Sequence, residues 1–499
     1  MYYISTRNKA IKVKSAAAIK KGLSNEGGLF VPESFPTLSL SEINKLADLS
    51  YVERAVYILK KYLTDFSVTE LRECAANAYS EKKFGGENPA PLVSLGEGVN
   101  VLELWHGPTC AFKDMALQIL PHFLTKSMKK TGEDKTVVIL VATSGDTGKA
   151  ALEGFKDVEG TKIIVFYPSE GVSDIQKLQM ITQEGKNVCV SGIEGNFDDA
   201  QTGVKTIFTD ENAKASFLEN GCVMSSANSI NWGRLVPQIV YYISAYCDMV
   251  KNGEIKIGDE INVCVPTGNF GNILAAYYAK KMGVPIKKLI CASNANNVLT
   301  DFIKTGEYDR NRKFFTTLSP SMDILISSNL ERLLFDLCGN NDKKVNGWMK
   351  ELKDSGKYTL SKDMRNKVRD LFWAGCCDDH FTKECIYKTK EKYGYTVDTH
   401  TAVALDVYNQ YRNETKDTVP TVIASTASPF KFNESVLSAL GVSKEMDGKN
   451  DFELLNMLSD ISGMEIPGSL SELENKSKRF TGVCKKDALL ETVSNFIKK

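Results

Sequence analysis

The feature that most constrains this fold is a repeated alternation of short apolar strands with helical segments over most of the chain. Continuous β-branched runs at residues 136–142, 162–168 and 187–192 predict strands that are buried on both faces, and helical periodicity separates them. A second series follows, through strands predicted at 287–294 and at 420–427, the last strand expected. Such alternation indicates βαβ units, and therefore an α/β fold with helices on both faces of parallel sheets.

At 499 residues the chain is too long for a single hydrophobic core, and we predict three domains. Residues 1–95 carry helix-period apolar positions and predict a mostly helical N-terminal domain. Residues 96–255 predict a smaller αβ domain. Residues 256–499 predict a larger αβ domain, with a polar helical insertion at about 300–395 and a mostly helical tail.

Composition excludes several kinds of partner and site. Lys+Arg and Asp+Glu both number 62, so no basic field is available for nucleic acid or an anionic membrane surface. The N-terminus lacks the apolar segment of a signal peptide, and no run approaches the ~20 apolar residues of a membrane span. The 12 cysteines form no CxxC pair and only 4 histidines occur, which indicates neither a metal site nor a disulfide framework. We expect a cytoplasmic protein with reduced cysteines.

The stretch at residues 103–118 holds one lysine in an unusual setting. Lys113 follows the rigid turn HGPT and precedes an apolar run that predicts the first turns of a helix. The positive end of the helix dipole and the apolar neighbours Phe112 and Met115 both disfavour an ammonium group. A lysine with a lowered pKa is a nucleophile for carbonyl groups and commonly forms a Schiff base. The alternative is an ordinary surface lysine at the start of a helix.

The loop SGDTG, at residues 144–148, lies between a predicted buried strand and a predicted helix. Doubly wound folds bind anions at this kind of position, where a strand ends and a helix begins. The loop is not a nucleotide phosphate loop, because that motif requires Gly at the position of Thr143 and Ser or Thr at the position of Ala150. The alternative is a helix N-cap formed by Asp146 or Thr147.

A second loop, TGNFGN at residues 267–272, also joins a predicted strand to a predicted helix. Its two glycines permit close approach of the backbone to a ligand, so that the following amides are free to surround a phosphate. The spacing departs from the GxGxxG dinucleotide motif, which disfavours a nicotinamide dehydrogenase. A tight structural turn is the alternative.

Small hydroxyl residues end the last predicted strand, where the sequence STA occupies residues 425–427. Such residues can face a heteroaromatic ring, although capping of the next helix is the alternative. Together the segments supply a lysine for an aldehyde, a loop for a phosphate, a loop for a carboxylate and a hydroxyl for a ring nitrogen. These are the groups needed to bind pyridoxal phosphate (PLP) and an amino acid.

Five motifs, in chain order, closely resemble the threonine synthase family: HGPTCAFKDMALQ, ATSGDTGKAA, SSANSINWGRLVPQ, PTGNFGN and STASPFKF. The N-terminal segments YISTR and GLxxxGGLFVPE are also similar to that family. The resemblance covers about residues 3–435 and continues less distinctly beyond, and the length resembles the longer fungal and enterobacterial type. It implies a fold-type II PLP enzyme, in which two doubly wound αβ domains with parallel sheets hold the cofactor in a cleft.

The resemblance also implies residue roles. Lys113 would form the Schiff base, and Thr426, with Ser425 as second choice, would contact the pyridine nitrogen. The cofactor phosphate would be held by Gly268, Asn269, Phe270, Gly271 and Asn272. The substrate carboxylate and the cofactor phenolic oxygen would be met by Thr143, Ser144, Gly145, Asp146 and Thr147. The substrate phosphate would be met by Asn228, Ser229, Asn231 and Arg234.

Asp146 departs from the asparagine that is usual in related fold-type II enzymes. A carboxylate that faces the phenolate oxygen of the cofactor would be repelled unless it were protonated or turned away. Direct contact between Asp146 and the cofactor is therefore not expected on charge alone. For the neighbouring motif we expect Trp232 and Leu235 to pack in the core rather than to bind substrate.

The activity implied by the resemblance is conversion of O-phospho-L-homoserine and water to L-threonine and orthophosphate. This is a β,γ-elimination and replacement, and the last step of threonine biosynthesis. A serine or threonine dehydratase would share the lysine and TGNFGN but would need no second phosphate site, and a silent regulatory protein would retain only the fold. We expect a small-molecule substrate, no nucleic acid or membrane partner, no metal, and a monomer or homodimer.

Overall fold

The computed structural model describes residues 1–143, 145–169, 172–195 and 197–498, without the side chains of Phe197, Asp198 and Thr209. The N-terminal domain combines helices with a small antiparallel sheet of order β2-β1-β3. Its elements are β1 (Tyr2–Ser5), β2 (Lys12–Lys14), α1 (Ser15–Lys21), β3 (Phe30–Pro32), α2 (Leu40–Ala47), α3 (Tyr51–Tyr62), α4 (Val68–Ala78) and α5 (Glu81–Phe84). Capping boxes begin α2 and α4, because Ser39 and Ser67 each accept from the third helical amide.

The middle of the chain alternates strands and helices. Its elements are β4 (Leu92–Gly96), β5 (Val99–Glu103), α6 (Asp114–Leu117), α7 (Leu120–Lys130), β6 (Thr136–Ala142), α8 (Asp146–Phe155), β7 (Thr161–Pro168), α9 (Asp174–Ile181), β8 (Val188–Glu194), α10 (Phe197–Thr209), α11 (Glu211–Glu219), β9 (Cys222–Ser225) and α12 (Trp232–Lys251). Helix α12 is buried over nearly its whole length because it packs against α2 and α3 on one side and α6 on another. It therefore joins the N-terminal domain to the segment that carries Lys113.

The remainder of the chain again alternates strands and helices. Its elements are β10 (Ile261–Pro266), α13 (Gly271–Met282), β11 (Ile286–Ser293), α14 (Val298–Thr305), β12 (Glu307–Asp309), α15 (Leu330–Leu337), α16 (Asp342–Asp354), β13 (Lys357–Thr359), α17 (Lys362–Leu371), β14 (Phe372–Cys376), α18 (Asp379–Tyr393), α19 (Thr399–Thr415), β15 (Thr421–Ser425), α20 (Asn433–Ala439), α21 (Asp451–Ser462), α22 (Gly468–Ser471), β16 (Val483–Lys485) and α23 (Leu489–Ile497). Short 3-10 helices at Pro320–Met322 and Pro429–Phe432 lie beside the candidate site.

Two large sheets form the body of the molecule. The smaller sheet has the order β16-β8-β7-β6-β9, and its strands are all parallel. The larger sheet has the order β14-β11-β10-β15-β5-β4, and it is parallel except for β4, which runs antiparallel to β5. Apolar side chains fill both faces of the central strands, as the β-branched runs predict. The predicted α/β class with an additional N-terminal domain is thus confirmed.

The sheets do not follow the domain limits predicted at residues 95 and 255. Strand β5 lies in the range assigned to the smaller αβ domain, but it pairs with β15 of the larger sheet. Strand β16 lies in the range assigned to the larger domain, but it pairs with β8 of the smaller sheet. Periodicity identifies a strand but not its distant partner, so these exchanges could not be read from the sequence.

Most predicted strands agree with the structure to within one or two residues. The expectation that 420–427 is the last strand is wrong, because β16 follows it. Strand β14 lies within the segment that the sequence predicts to be a polar helical insertion. Strands β9 and β16 are only 4 and 3 residues long. Runs this short carry too little periodicity to be recognised. Among the described residues, no helix is long and apolar enough to cross a membrane.

Candidate active site

The candidate site lies where the carboxyl ends of strands from both sheets face each other. The segment after β5 carries Lys113, the loop after β6 carries SGDTG, the loop after β10 carries TGNFGN, and β15 ends at Ser425. The segment that leads to Lys113 is fixed to the end of β15, because the Phe112 amide donates to the Thr426 carbonyl at 2.8 Å and Ala111 forms a bridge with Ala427. The sequence motifs therefore converge on one cleft, as open α/β sheets favour.

Lys113 is buried, with 8% of its surface exposed. Its Nζ atom donates to Asp146 Oδ2 at 3.2 Å and to Ser321 Oγ at 3.1 Å. Burial lowers the pKa of the Lys113 ammonium, Asp146 opposes that shift, and Lys431 and Arg234 add to it. Burial therefore favours the neutral amine more than it would be favoured in an exposed lysine, and the neutral amine is the form that attacks a carbonyl carbon.

Asp146 is the centre of a buried polar cluster. Its Oδ1 atom accepts from Lys431 Nζ at 2.6 Å and from Gln176 Nε2 at 2.8 Å, while Oδ2 faces Lys113 and Ser321. Burial alone would raise the pKa of the carboxyl group, but Lys431, Lys113 and Gln176 hold that pKa well below its usual range. The carboxylate is thus ionised and turned towards cations.

Ser321 is held against the cluster by a buried histidine. The Ser321 amide donates to His400 Nε2 at 3.2 Å, and His400 Nδ1 lies 2.8 Å from Asp398 Oδ2. An amide that donates to Nε2 requires the neutral tautomer with its proton on Nδ1, and Asp398 accepts that proton's hydrogen bond. Asp398 is itself the N-cap of α19, so the start of this helix fixes the ring.

The loop before α8 depends on a threonine hydroxyl and a glycine. Thr143 Oγ1 accepts from the amides of Gly145 at 3.0 Å and Gly148 at 2.9 Å. Gly145 has φ 145°, and an added Cβ would lie 2.6 Å from Gln176. Thr143 therefore shapes the loop with its hydroxyl, and Thr147 is half-buried. Ser144, for which a substrate contact was predicted, lies outside the described residues.

The TGNFGN loop forms a cradle of backbone amides. Within the described chain, no residue accepts a hydrogen bond from the amides of the loop residues Gly268, Asn269, Phe270, Gly271 and Asn272. Phe270 has a left-handed conformation with φ 63° at the start of α13, a geometry that is uncommon for residues other than glycine. A chain of free amides at the start of a 12-residue helix suits a phosphate.

The side chain of Asn272 also indicates a phosphate site in this loop. Its Oδ1 atom accepts from Tyr241 at 2.6 Å and from Tyr242 at 2.5 Å, which leaves Nδ2 buried without a partner among the described residues. A buried amide donor without a partner costs about 1–3 kcal/mol. Bound phosphate oxygens would satisfy it, so these residues fit the phosphate group of PLP.

The two hydroxyls after β15 differ in their surroundings. Ser425 Oγ accepts from Trp105 Nε1 at 3.0 Å and from Thr401 Oγ1 at 3.0 Å. Thr426 is also buried, but no described residue forms a hydrogen bond with its hydroxyl. This difference favours Thr426 over Ser425 as the group available to a ligand.

The residues predicted to meet the substrate phosphate are only partly available. Asn231 caps α12: its Oδ1 accepts from the Gly233 amide at 2.9 Å and its Nδ2 donates to Ile19 and Ser226 carbonyls. Its side chain is thus used by the fold. Asn228 and Ser229 are half-buried before the helix and keep their side chains uncommitted to any described partner.

Arg234 is different from its neighbours in this motif. It is 5% exposed, donates from Nη1 to the Ala227 carbonyl at 2.9 Å, and forms no ion pair with any described acidic residue. Burial lowers the pKa of Arg234 to about 10, so it remains a cation at neutral pH. Its positive charge also lowers the pKa of the Lys113 ammonium. A buried arginine without a carboxylate partner is a natural site for an anionic ligand. Trp232 and Leu235, by contrast, are fully buried, as predicted.

Sequence reasoning missed four residues of the cluster: Lys431, Gln176, Ser321 and His400. A signal existed for Lys431, because it lies between Phe430 and Phe432 in a run that is otherwise apolar and buried. No local signal marks Ser321 or His400, which reach Lys113 only through distant segments of the chain.

Comparison with known proteins gives the context of this site. The family model for the "Threonine synthase N terminus" matches residues 2–79, that for "Pyridoxal-phosphate dependent enzyme" matches 84–349, and that for "Threonine synthase, C-terminal" matches 401–497. Among solved structures, PLP-bound threonine synthase from Brucella melitensis is 35% identical, with a TM-score of 0.88, and covers 100% of this chain and 99% of its own. Threonine synthase from yeast is 33% identical with the same TM-score, covering 100% of this chain and 98% of its own.

Curated relatives fall into two groups. "Threonine synthase-like 1" of Homo sapiens is 43% identical over 88% of this chain, but the chain spans only 59% of that protein's length. Threonine synthase of Pseudomonas aeruginosa is 39% identical over 88% of this chain and 90% of its own length. The family models, the relatives and the structural neighbours agree with the cleft geometry, and the chain belongs to the threonine synthase family of fold-type II PLP-dependent enzymes.

Proposed function

We propose that this chain converts O-phospho-L-homoserine and water to L-threonine and orthophosphate. The observation that carries the proposal is the cleft in which a buried Lys113, a cradle of free amides and the unpaired cation of Arg234 face one another in a threonine synthase family member. One phosphate site suffices for PLP, so a second anion site beside Lys113 favours a substrate that carries its own phosphate. A dehydratase of unphosphorylated amino acids has no use for that second site.

The proposed cofactor contacts use three parts of the cleft. The amides of residues 268–272 and the Asn272 side chain would hold the PLP phosphate, Lys113 would bond to its aldehyde carbon, and the Thr426 hydroxyl would meet the pyridine nitrogen. When bound, PLP supplies a conjugated ring that stabilises negative charge developing at the substrate carbons. A hydroxyl partner does not hold a full proton on the ring nitrogen, unlike an aspartate, so less charge is drawn into the ring.

Lys113 is proposed to move the protons. Burial, Lys431 and Arg234 lower the pKa of its ammonium, which favours the neutral amine as the base that would accept the proton from the substrate α-carbon. The same amine, once protonated, can return a proton when water has added to the β-carbon. Asp146 and Ser321, at 3.2 and 3.1 Å, would hold Nζ in position between these steps.

Substrate anions are proposed to be held locally, since the net charge of the chain is +0. Arg234, with Asn228 and Ser229 beside it, would hold the substrate phosphate and receive it as it leaves the γ-carbon. The amides and hydroxyls of the loop at residues 143–147 would bind the substrate carboxylate. Asn231 is best assigned to positioning this segment, because its side chain caps α12.

We also propose a small-molecule enzyme of the cytoplasm. Support comes from the cysteines, which form no disulfide in the described part of the chain and are mostly buried with raised pKa values, as for Cys264 and Cys377. Burial suppresses thiolate formation and hence metal binding and oxidation.

The proposal is tested by incubating PLP-loaded protein with O-phospho-L-homoserine and measuring threonine and orthophosphate together. We expect equal amounts of both products, and no ammonia from L-threonine. Lys113→Ala should abolish the visible absorbance of the PLP-loaded protein and lower turnover by at least about a thousandfold, because the base and the covalent anchor are lost together. Lys83→Ala is the control, since burial lowers the pKa of Lys83 as well but no described contact links it to the cleft. Ammonia from threonine with no threonine formed would instead establish a dehydratase.

A further inference from the structure

Asp146 binds a second buried lysine that the proposed chemistry does not use. The side chain of Lys431 is 0% exposed and that of Asp146 is 3% exposed, and 2.6 Å separates Lys431 Nζ from Asp146 Oδ1. Lys431 Nζ also donates to the Thr109 carbonyl at 2.9 Å, in the turn that precedes Lys113. The Asp146–Lys431 ion pair therefore links the Lys113 amine to the turn that precedes Lys113.

The two oxygens of Asp146 serve different partners. Oδ1 accepts from Lys431 and Gln176, whereas Oδ2 faces Lys113 and Ser321. If Asp146 were the sole charge here, its attraction would hold Lys113 as an ammonium, which is neither nucleophile nor base. With Lys431 on the opposite oxygen, the pair carries no net charge.

We propose that Asp146 and Lys431 act as one electrically neutral unit beside Lys113, with Lys431 as a positioning residue that acts on the amine through Asp146. The unit keeps a directional acceptor, Oδ2, for the amine, without imposing a net negative charge on it. This inference rests on the proposed role of Lys113 in PLP binding and is independent of the identity of the substrate.

The other groups around the amine do not replace Lys431. Arg234 of α12 is the remaining cation that acts on Lys113, and it is the group proposed to bind the substrate. Asp114 follows Lys113, but Thr109 occupies both of its oxygens at 2.8 Å. His400 reaches Lys113 through Ser321, whose amide donates to His400 Nε2 at 3.2 Å. Loss of Lys431 therefore leaves one uncompensated negative charge against Nζ.

The test uses the full chain freed of PLP, and it follows the rate at which added PLP produces the visible absorbance that depends on Lys113. For Lys431→Met we expect capture of PLP at pH 7 to be slower than in the parent, by up to about tenfold for each unit by which the pKa of the Lys113 ammonium rises, because less of Lys113 is then the neutral amine. The ratio of the parent rate to the variant rate should fall as the pH is raised from 7 to 9, because the neutral amine becomes a larger fraction of Lys113 in both proteins. Structural damage would not be relieved by alkali.

Two charge variants and one control extend the test. Asp146→Asn combined with Lys431→Met removes both charges, and it should capture PLP at pH 7 faster than Lys431→Met alone, while Lys431→Arg, which keeps the cation, should also be faster than Lys431→Met. Lys149→Met is the matched control, because Lys149 is a buried lysine in α8, the helix that carries Asp146. It forms its ion pair with Glu153 at 3.3 Å rather than with Asp146. This variant should lower the thermal midpoint without changing the pH profile of capture.

The outcomes separate this inference from the proposed function. Absence of Lys113-dependent absorbance in the parent would refute the PLP role of Lys113 itself. A parent that captures PLP normally, with Lys431→Met showing the same rate or a defect that alkali does not relieve, would overturn the neutral-unit inference alone. A double variant as slow as Lys431→Met would also overturn it.

Discussion

At the scale of single residues, burial rather than the helix dipole prepares Lys113. The sequence argument invoked both, but α6 has only 4 residues, so few peptide dipoles are aligned behind the amine. Desolvation is the largest cause of the lowered pKa, and Asp146 opposes it. Asp146, whose contact with the cofactor is not expected on charge alone, is ion-paired with Lys431, a residue distant from it in the sequence.

Arg234 should control substrate affinity more than cofactor affinity. Arg234→Met is expected to raise the KM for O-phospho-L-homoserine by about 10- to 100-fold, since a charge-assisted hydrogen bond contributes about 1.5–3 kcal/mol. Steady-state kinetics and PLP titration together check this. Arg54→Met serves as the control and should alter KM far less, because Arg54 is a buried arginine that is ion-paired with Asp248 at 2.6 Å. A loss of PLP binding in Arg234→Met would contradict the assignment.

Substitutions at Ser425 and Thr426 should distinguish a loss of folding stability from a loss of PLP binding. Ser425→Ala leaves Trp105 Nε1 without its acceptor, whereas the Thr401 hydroxyl keeps Asp398, so we expect the free energy of unfolding to fall by about 1–3 kcal/mol. Thr426→Ala breaks no described side-chain hydrogen bond, so its cost should appear as weaker PLP binding and an altered visible spectrum. Urea unfolding and PLP titration measure the two effects. Equal loss of stability in both variants would show that Thr426 is structural.

At the scale of elements, loops at the ends of strands carry the site, and this much follows from the sequence. The runs before SGDTG and TGNFGN agree with β6 and β10, since continuous β-branched residues have few alternatives to a buried strand. The segment 319–323, which brings Ser321 to Lys113, has no such signal. Its position depends on Asp323, which accepts from Asn294 and Thr317 at 2.7 Å each, and such side-chain networks lie beyond periodicity.

The loop at residues 268–272 and the segment 319–323 contact each other at Gly268, so a substitution there tests whether the two depend on each other. A Cβ added at Gly268 would lie 2.7 Å from the Ser321 carbonyl oxygen. Gly268→Ala should therefore displace either the cradle or Ser321, and we expect PLP affinity to fall by about tenfold, from a steric cost of order 1–3 kcal/mol. Gly347→Ala in α16 is the control, because nothing lies within 4 Å of its added Cβ. An unchanged affinity for PLP in Gly268→Ala would show that the loops adjust independently.

At the scale of the whole molecule, a buried arginine ties the N-terminal domain to the cradle. Arg332 donates from Nε to the Phe30 carbonyl at 3.1 Å, from Nη2 to the Ile230 carbonyl at 2.5 Å, and from Nη1 to Asn329 Oδ1. The amide and side chain of Asn329 in turn donate to the Asn269 carbonyl at 3.1 and 3.0 Å. The N-terminal domain thus contributes to the shape of the phosphate cradle.

Removal of this arginine should affect stability and PLP binding together. Arg332→Met leaves three buried acceptors unpaired, and we expect the free energy of unfolding to fall by about 2–4 kcal/mol, with weaker PLP binding through Asn329. Arg72→Met is the control, because the Arg72 side chain is 52% exposed and its ion pair with Glu53 contributes little. Denaturant unfolding with and without PLP measures both effects. A stability loss with unchanged PLP affinity would show that the cradle does not depend on the N-terminal domain.

The larger architecture could be predicted only in part. Fold class and the convergence of motifs follow from local pattern, because parallel strands bring their carboxyl ends to one edge. The exchange of β5 and β16 between the sheets does not, since pairing partners far apart in the chain leave no local trace.

Strand β16 has a consequence for biogenesis. It covers the edge of β8, yet it follows every strand of the larger sheet in the chain. During translation the β8 edge of the smaller sheet therefore stays unpaired until β16 has been synthesised. An unpaired strand edge can pair wrongly with other nascent chains. We expect the emerging polypeptide to depend on chaperones until that short closing strand leaves the ribosome.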